Sequence, residues 1–356
     1  MMLDPAPTIY VDDHYFSVNG TQYCRRNINC LIRLENWESN IVRPHEAIFS
    51  RAKSDRLNLI YALQANTSPI MGLFHDPNRS IPASLSGIAS ATPLFTADTG
   101  GGEYHEFHAI TDAAVINTIC GVLADRPVYI ADGHHRYESA LTYQRERRAR
   151  VTTPVGAEPF DYVMITLVDL EDPGLVILPA HRVLRNITTA AMNRLTASLE
   201  EFFTIRNVPL DSNAGESQVT ELLAEYPDEP VLLLHGVEPG FLQVLTMKDT
   251  TRIDATMPYF HTPTYRRLDV SILDHVILET LLGLTADDFG AHISYTTDTL
   301  EAIRSVDFGE KQFAVFVRPV SPDDIIDIAD NGDRMPRKST YFYPKIPAGL
   351  VIYRFS

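Results

Sequence analysis

The chain has 356 residues, which is too long for one ordinary core and is typical of two domains of roughly 100–200 residues each. Its composition, with 45% hydrophobic and 21% charged residues, excludes a disordered or fibrous protein. The formal net charge of -16 makes nucleic acids and anionic membranes poor partners, because their phosphates carry charge of the same sign.

Targeting signals and cysteines indicate the cellular compartment. No run approaches the roughly 20 apolar residues of a membrane span, and the N-terminus lacks a basic segment followed by an apolar one. Cys24, Cys30 and Cys120 have no CxxC spacing, which favours free thiols in a reducing compartment. We therefore expect a cytoplasmic protein.

The first third of the chain alternates between strand-like and helix-like segments. Asn19-Gly20 separates two alternating segments, which predicts a tight type I′ hairpin at the edge of a sheet. Ser54 and Asp55 precede helical spacing of apolar residues and are expected to cap that helix. The elements predicted after the hairpin are a strand over 29–34, a loop over 43–46, a helix over 54–66, a strand over 68–74, a flexible turn over 98–103 and a helix over 111–122.

A short apolar run over residues 127–131 predicts a buried strand, and residues 137–150 are helix-prone. The polar sequence Asp-Gly-His-His-Arg lies between them. Residues 154–159 resemble a linker, so we place a domain boundary near residue 155, with a first lobe over 1–155 and a second over 156–356.

The second lobe also mixes both kinds of element, so the predicted fold class is α+β (mixed α/β) with two lobes. No internal repeat is present. The predicted elements are strands over 162–168, 175–178, 231–234, 313–317 and 350–353 and helices over 188–203 and 269–284.

The densest candidate site follows the strand over 127–131. Gly133 allows a sharp turn, so the amides of the next residues would point outward at the positive end of a helix, where anions bind. His134, His135 and Arg136 add donors, and a guanidinium can grip a phosphate through two parallel hydrogen bonds. Asp132 could bind Mg²⁺ or accept a proton from a hydroxyl group.

Two other interpretations of this segment stay open. Asp132-Gly133 is also consistent with a plain turn and helix cap whose histidines fill polar niches. A zinc site is less well supported, because adjacent histidines point in different directions and neither an HExxH pattern nor a cysteine pair completes a tetrahedron.

A second polar cluster contains Arg43, His45 and Glu46. A carboxylate in an otherwise basic loop could act as the base towards a hydroxyl acceptor. The alternative is a solvated loop with a surface ion pair.

A third cluster, residues 335–345 (MPRKSTYFYPK), is cationic and rich in hydroxyl groups and aromatic rings. Lys338 and Ser339 would face a ligand there, unless the segment is a final strand with exposed lysines. His181, Arg182 and His275 are secondary candidates, and His275 at helical spacing is typical of a structural histidine.

Residues 43–46, 130–138 and 335–345 together resemble the family called domain of unknown function 1015. Segments 178–182 (LPAHR) and 268–271 (LDVS) extend the resemblance over nearly the whole chain. Family members usually carry a further segment before the first predicted strand, which is absent here. If that segment contributes ligand contacts, the resemblance implies an altered activity.

The strand-DGHHR-helix segment also resembles, more remotely, the phosphate-binding element of ParB-like and sulfiredoxin-like proteins, among them a ParB-like free-serine kinase. That resemblance covers the first lobe only. It implies that Gly133, His134, His135 and Arg136 hold the phosphates of a purine nucleotide, ATP or ADP. It also implies that Asp132 serves Mg²⁺ and that Glu46 is the base. The likeness is an analogy, since a shared fold does not fix function.

Two functions follow from these residues and resemblances. The first is a phosphotransferase that moves a phosphoryl group between a nucleotide and a small hydroxyl compound such as serine or phosphoserine. In this reaction Asp132, His135, Arg136 and Glu46 would be catalytic. The second is a nucleotide-binding regulatory protein without turnover, which would need the phosphate contacts but not the base. A nuclease is disfavoured by the acidic charge.

Overall fold

The computed structural model describes residues 3–46, 50–88, 91–150, 156–211, 214–248 and 250–355; side chains are described from residue 55 in the helix that begins at Ser50. The chain divides into two compact units. The first unit contains Met1–Val176 and Phe342–Ser356, and the second contains Ile177–Tyr341. The C-terminal segment therefore belongs with the first unit, although the second unit precedes it in the chain.

Strands and helices alternate irregularly in the first unit, as the mixed sequence pattern predicts. Its strands are β1 Ile9–Val18, β2 Thr21–Arg33, β3 Val42–Pro44, β4 Ala65–Asn66, β5 Ile70–Phe74, β6 Phe95–Gly100, β7 Glu103–Ile110, β8 Val128–Asp132, β9 Tyr162–Asp169 and the late β18 Tyr353–Arg354. Its helices are α1 Ser50–Leu63, α2 Ser80–Ser84, α3 Ala113–Leu123 and α4 His134–Arg148, with 3₁₀ turns at Trp37–Ser39 and Pro159–Asp161.

Among the described residues, the main sheet of the first unit has eight strands in the order β3-β8-β5-β9-β2-β1-β7-β6. It is mixed, because β3 runs parallel to β8 and β5 runs parallel to β9 while the remaining pairs are antiparallel. Apolar side chains from one face of the sheet pack against α2, α3 and α4. Members of this core are Val11, Ile28, Ile70, Phe74, Ile81, Ile119, Ile130, Tyr137, Leu141 and Ile165.

The predicted hairpin joins β1 to β2, and Asn19 and Gly20 have φ values of 49° and 78°, as a type I′ turn requires. Its predicted edge position is wrong. Strand β7 pairs with the outer side of β1 and β9 pairs with the outer side of β2, so the hairpin lies inside the sheet. The partners arrive from distant parts of the chain, which local patterns do not reveal.

The second unit carries its own sheet and core. Its six-stranded sheet has the order β12-β14-β13-β16-β11-β15 within the described chain. Val183, Val219, Leu233, Val244 and Phe316 are buried members of its core. Its elements and those that flank it are β10 Val176–Leu178, β11 His181–Leu184, α5 Thr189–Phe202, β12 Phe203–Pro209, α6 Gly215–Ala224, β13 Val231–His235, β14 Phe241–Met247, α7 Thr250–Thr256, α8 Pro263–Arg267, α9 Asp269–Ile272, α10 Phe289–His292, β15 Ile293–Thr296, α11 Thr299–Asp307, β16 Phe313–Phe316, α12 Pro322–Asp330 and β17 Tyr341–Tyr343.

The helix predicted over residues 269–284 is present, but its hydrogen bonding differs from that of an α-helix. The α-helical turn Asp269–Ile272 passes into a π-helix at Leu273–Leu281, in which bonds join residues five apart. The helices predicted over 188–203 and 111–122 are present as α5 and α3, and the side chains of Thr188 and Asp112 cap them.

Two sequence predictions of boundaries require correction. Helix α1 begins at Ser50, so Ser54 and Asp55 lie inside the helix and do not cap it. Strand β9, assigned to the second lobe by the boundary near residue 155, pairs with β2 and β5 in the first sheet. Residues 151–155 of the predicted linker lie outside the described part of the chain.

The mixed α+β class is confirmed in both units. Among the described residues, no helix has the length and apolar character that crossing a membrane requires.

Gly174, in the turn after β9, has no room for a side chain. A Cβ atom there would lie 2.6 Å from the Cα atom of Arg25 and closer still to the carbonyl oxygen of Cys24, both backbone atoms that cannot rotate away. We expect Gly174→Ala to lower the free energy of unfolding by about 1–3 kcal/mol, the usual cost of overpacking. Urea denaturation measures this change.

Gly121→Ala in the exposed part of α3 is the matched control, because nothing lies within 4 Å of a Cβ atom there. It should leave stability unchanged or raise it by up to about 1 kcal/mol, since alanine favours helix. Equal stability of the two variants would contradict the close packing at Gly174.

Candidate functional site

The polar segment after β8 has the strand-turn-helix conformation that the sequence predicts. Gly133 has φ 95°, a backbone conformation that favours glycine, and it separates β8 from α4. The amides of Arg136 and Tyr137 both donate to the carbonyl of Gly133, at 2.8 and 3.0 Å. The N-terminal turn of a 15-residue helix therefore begins directly after Gly133.

Arg136 folds back over this turn. Its guanidinium donates to the Asp132 carboxylate and to the carbonyl oxygen of Pro69. The second oxygen of Asp132 accepts a hydrogen bond of 2.7 Å from the ammonium group of Lys345. We call Asp132, Gly133, Arg136 and Lys345 the Asp132 site.

Gly133 is needed here for space as well as for its backbone angle. A Cβ atom on Gly133 would lie 2.7 Å from Nε of Arg136. The guanidinium of Arg136 therefore packs directly on the backbone of the turn. It can take this position because Gly133 has no side chain.

The environment of Arg136 is only partly screened by water. Burial lowers the pKa of its guanidinium, the Asp132 carboxylate opposes that shift, and the nearby Arg56 adds to it. Arg56, Ser68 and Arg136 also line a small cavity of about 40 Å³. Positive charge is thus concentrated beside the site in a chain that is strongly acidic overall.

Glu46 lies at the same edge of the sheet as Asp132. Strand β3 runs parallel to β8, with Val42 opposite Val128 and Pro44 opposite Ile130. The residues that follow the two strands therefore leave the sheet side by side.

His45 follows β3 and is fully buried, and its ring meets that of His134 edge-on at a centroid distance of 4.9 Å. His134 is buried too, whereas His135 is half-buried. These contacts connect the loop after β3 with the start of α4.

The other residues predicted to bind a ligand make contacts with groups other than Asp132. Arg43 donates to the carbonyl of Asn40 at 2.9 Å and lies over the ring of Tyr129 at 5.8 Å. Lys338 and Ser339 belong to the second unit, where Ser339 is buried and its hydroxyl donates to the carbonyl of Pro336. From the cationic segment over 335–345, it is Lys345 that reaches Asp132.

Two residues near the start of helix α4, Tyr137 and Glu138, hold the helix to the segment that follows β2. The hydroxyl of Tyr137 donates to the carbonyl of Glu35 and accepts from the amide of the same residue, at 2.8 and 2.9 Å. The indole of Trp37 donates to Glu138 at 2.8 Å. These bonds fix the axial position of the helix and so the place of its N-terminus.

Sequence reasoning missed a group of buried polar side chains on β1, β2 and β7. Arg25 has no exposed surface, and its guanidinium donates to Asn27 and to the carbonyls of Tyr343 and Pro344, each at 3.0 Å. Asn27 in turn donates to Asp12 at 2.9 Å. The only signal in the sequence is the spacing of polar residues at every second position, as in Arg25, Asn27 and Asn29.

The secondary candidates lie in two polar groups of the second unit. His275 on the π-helix contacts Glu279 at 2.7 Å and the hydroxyl of Tyr265 at 2.9 Å. Burial raises the pKa of Asp274 to about 6, against the influence of Arg182, whose guanidinium lies 3.7 Å away. His181 is buried beside Thr299. As the sequence predicts, His275 makes the contacts of a structural histidine.

Comparison with protein families identifies the chain. The model of the family "Protein of unknown function (DUF1015)" matches residues 1–271. The chain belongs to the DUF1015 family. The resemblance inferred from the three motifs is thereby confirmed. No curated protein matches the sequence.

Solved structures similar to this DUF1015 protein have low sequence identity. A conserved hypothetical protein from Pyrococcus furiosus is 13% identical with a TM-score of 0.42, covering 92% of this chain and 95% of the other. A free serine kinase variant in complex with ADP is 10% identical with a TM-score of 0.43, covering 89% and 88%. SbnI from Staphylococcus aureus, with a C-terminal truncation, is 10% identical with a TM-score of 0.41, covering 91% and 87%.

Substitution of Gly133 by alanine tests how the Asp132 site is built. The new Cβ atom would strain the backbone and push against the guanidinium of Arg136. We expect Gly133→Ala to lower the free energy of unfolding by about 1–2 kcal/mol for the backbone, plus at least about 1 kcal/mol for the displaced charged hydrogen bonds. Urea denaturation measures the sum.

Gly101→Ala separates the two costs. Gly101 also has a positive φ, of 64°, but nothing lies within 4 Å of its Cβ position. Its variant should therefore show the backbone cost alone. If both variants lost the same stability, the contact with Arg136 would contribute nothing.

Proposed function

We propose that this DUF1015 protein binds the phosphates of a purine nucleotide at the Asp132 site and transfers a phosphoryl group to or from a small hydroxyl compound. The observation that carries the proposal is the position of two cations at the start of a long helix. Arg136 and Lys345 are held on the two oxygens of Asp132, directly before the first turn of α4.

This arrangement suits a phosphate for electrostatic reasons. Two cations meet one carboxylate here, and Arg56 adds a further positive charge close to Arg136. A phosphate brings more negative charge than Asp132 and competes for the same hydrogen bonds, which are strongest between a guanidinium and an oxyanion. The positive end of the α4 dipole adds to the attraction.

The donors at this site fit Mg²⁺ in one particular way. Mg²⁺ is typically held by one or two carboxylates together with the phosphates of a substrate. Asp132 offers a single carboxylate, and both of its oxygens already accept from cations. Asp132 would therefore hold the ion together with a nucleotide, and the ion would supply charge neutralisation of the phosphates.

Glu46 is the proposed base that accepts the proton of the hydroxyl group. Its support is positional, since the parallel pairing of β3 with β8 brings residue 46 to the edge that carries Asp132. Arg136 would stabilise the charge on the transferred group, because its guanidinium is already fixed by Asp132 and by the carbonyl of Pro69. His135, next to it on α4, is the remaining proposed contact with phosphate.

The choice of serine or phosphoserine as the hydroxyl compound rests on the resemblance of the DGHHR segment to that of a ParB-like free-serine kinase. The geometry of the Asp132 site supports the phosphate contacts. It does not depend on which hydroxyl compound is the acceptor.

Isothermal titration with ADP, AMP and ATP, with and without Mg²⁺, tests the phosphate contacts. We expect Lys345→Met and Arg136→Lys each to weaken nucleotide binding about 10- to 100-fold, because charged hydrogen bonds contribute about 1.5–3 kcal/mol. Lys345 is half exposed, so its variant should fold normally.

Arg33→Lys is the matched control, since Arg33 has a side chain that is 70% exposed and forms a surface ion pair with Glu35. It should bind nucleotides as the native protein does. Absence of nucleotide binding to the native chain, or native affinity in both site variants, would refute the proposal.

Turnover tests the role of Glu46. Glu46→Gln should leave the nucleotide dissociation constant within about twofold of the native value and slow phosphoryl transfer about 10²- to 10⁴-fold, the usual contribution of a general base. Phosphate transfer from ATP to serine, and from phosphoserine to ADP, is the assay. Glu38→Gln, an exposed carboxylate on the neighbouring 3₁₀ turn, is the control.

Two results would change the assignment. Native turnover in Glu46→Gln would exclude Glu46 as the base. Tight nucleotide binding by the native chain with no transfer to either acceptor would favour a regulatory protein without turnover.

A further inference from the structure

Two histidines and a glutamate meet on the first sheet, on strands β1 and β7. His14 lies directly opposite His105 in the antiparallel register, and their rings stack at a centroid distance of 3.8 Å. Glu103 is two residues before His105 on the same face of β7, and its carboxylate lies 3.3 Å from Nε2 of His14. One donor atom from each of these residues lies within 4.8 Å of the others. We call them the histidine cluster.

The contact with Asp12 selects the tautomer of His105 that a metal ligand needs. Its Nδ1 atom is 2.9 Å from one oxygen of Asp12, so Nδ1 carries the proton and donates to the carboxylate. The lone pair is therefore on Nε2. That atom is fully buried and has no hydrogen-bond partner among the residues that the structure describes. A carboxylate behind a histidine in this way is the usual support of a metal-binding imidazole.

His14 is the second imidazole of the cluster, and its proton must leave Nε2 before that atom can bind a metal ion. Arg25 donates to its Nδ1 atom at 3.3 Å, so in the neutral ring the proton is on Nε2, facing Glu103. Metal binding at Nε2 requires this proton to move to Nδ1, so Arg25 loses its hydrogen bond to His14. That bond is the longest that Arg25 makes, and its three acceptors at 3.0 Å stay in place.

The charged groups around the histidine cluster favour a bound cation. Asp12 and Glu103 contribute two negative charges, and Arg25 contributes one positive charge. Carboxylates therefore outnumber the guanidinium around the two imidazoles, and a bound cation would offset their charge. The Glu103 side chain is 24% exposed, so the cluster is open to solvent on that side.

We propose that His14, Glu103 and His105 bind one divalent transition-metal ion. Two imidazole nitrogens and one carboxylate are the ligand set of zinc and iron(II), whereas Mg²⁺ and Ca²⁺ prefer oxygen ligands. Ligands of a tetrahedral zinc ion at about 2.0–2.1 Å are about 3.3 Å apart, which is the observed spacing of His14 and Glu103. Three protein ligands leave the fourth position to water.

Titration of the full chain with Zn²⁺ and with Co²⁺ tests this proposal. Isothermal titration should give one Zn²⁺ ion per chain, and Co²⁺ should show the visible bands of a tetrahedral site. Glu103→Gln should weaken Zn²⁺ binding at least about 10- to 100-fold, since loss of even an outer-shell partner has that effect. Glu103 is partly exposed, so this variant should fold; circular dichroism checks it.

Glu106→Gln is the matched control, because it makes the same chemical change on the same strand, three residues away from Glu103. It should bind Zn²⁺ like the native chain. The proposal is overturned if the native chain binds no stoichiometric Zn²⁺ or if the two glutamate variants bind equally. A thiolate-to-Co²⁺ charge-transfer band would overturn it too, because it would assign the ion to the exposed Cys24 or Cys120.

Discussion

The buried guanidinium of Arg25 is the constraint on which the first unit depends. Arg25 has no exposed surface, and even though burial lowers its pKa to about 10, it carries its charge at neutral pH. A buried charge is costly unless all of its donors are bonded. Two of its acceptors are the backbone carbonyls of Tyr343 and Pro344, from the end of the chain. The first unit is therefore complete only when the C-terminal segment returns to it.

That returning segment also contributes to the Asp132 site. Lys345, the residue after Pro344, donates to the carboxylate that Arg136 holds from the other side. Three consecutive residues thus contact two polar groups, one on β1 and β2 and the other at the end of β8. A change that moves this segment acts on both groups, so their energies are coupled through it.

Local signals in the sequence were sufficient for local structure. The Asn-Gly turn, the helix that follows Asp112 and the strand-turn-helix at Gly133 were predicted because each depends on residues within a few positions. The interior position of the β1-β2 hairpin and the early start of α1 at Ser50 could not be predicted in this way. They depend on strands that come from distant parts of the chain or on packing against other elements.

The same distinction applies to the candidate sites. The DGHHR segment is contiguous, so its chemistry was visible in the sequence. In the cationic segment over 335–345, the composition did not indicate which lysine lies beside Asp132, and the structure places Lys345 there. The histidine cluster was invisible, since residues 14 and 105 are brought together only by the register of two strands.

The strong negative charge of the chain and the proposed anion site at Asp132 are compatible because they act over different distances. At physiological ionic strength, charges separated by more than about 8 Å are largely screened from each other. The net charge of -16 is therefore weakly felt at Asp132, where Arg136 and Lys345 are in direct contact with the carboxylate. A phosphate would gain little from long-range attraction to this protein. Its affinity would come from those short contacts and from the start of α4, which is why the geometry around Gly133 matters more than the overall charge.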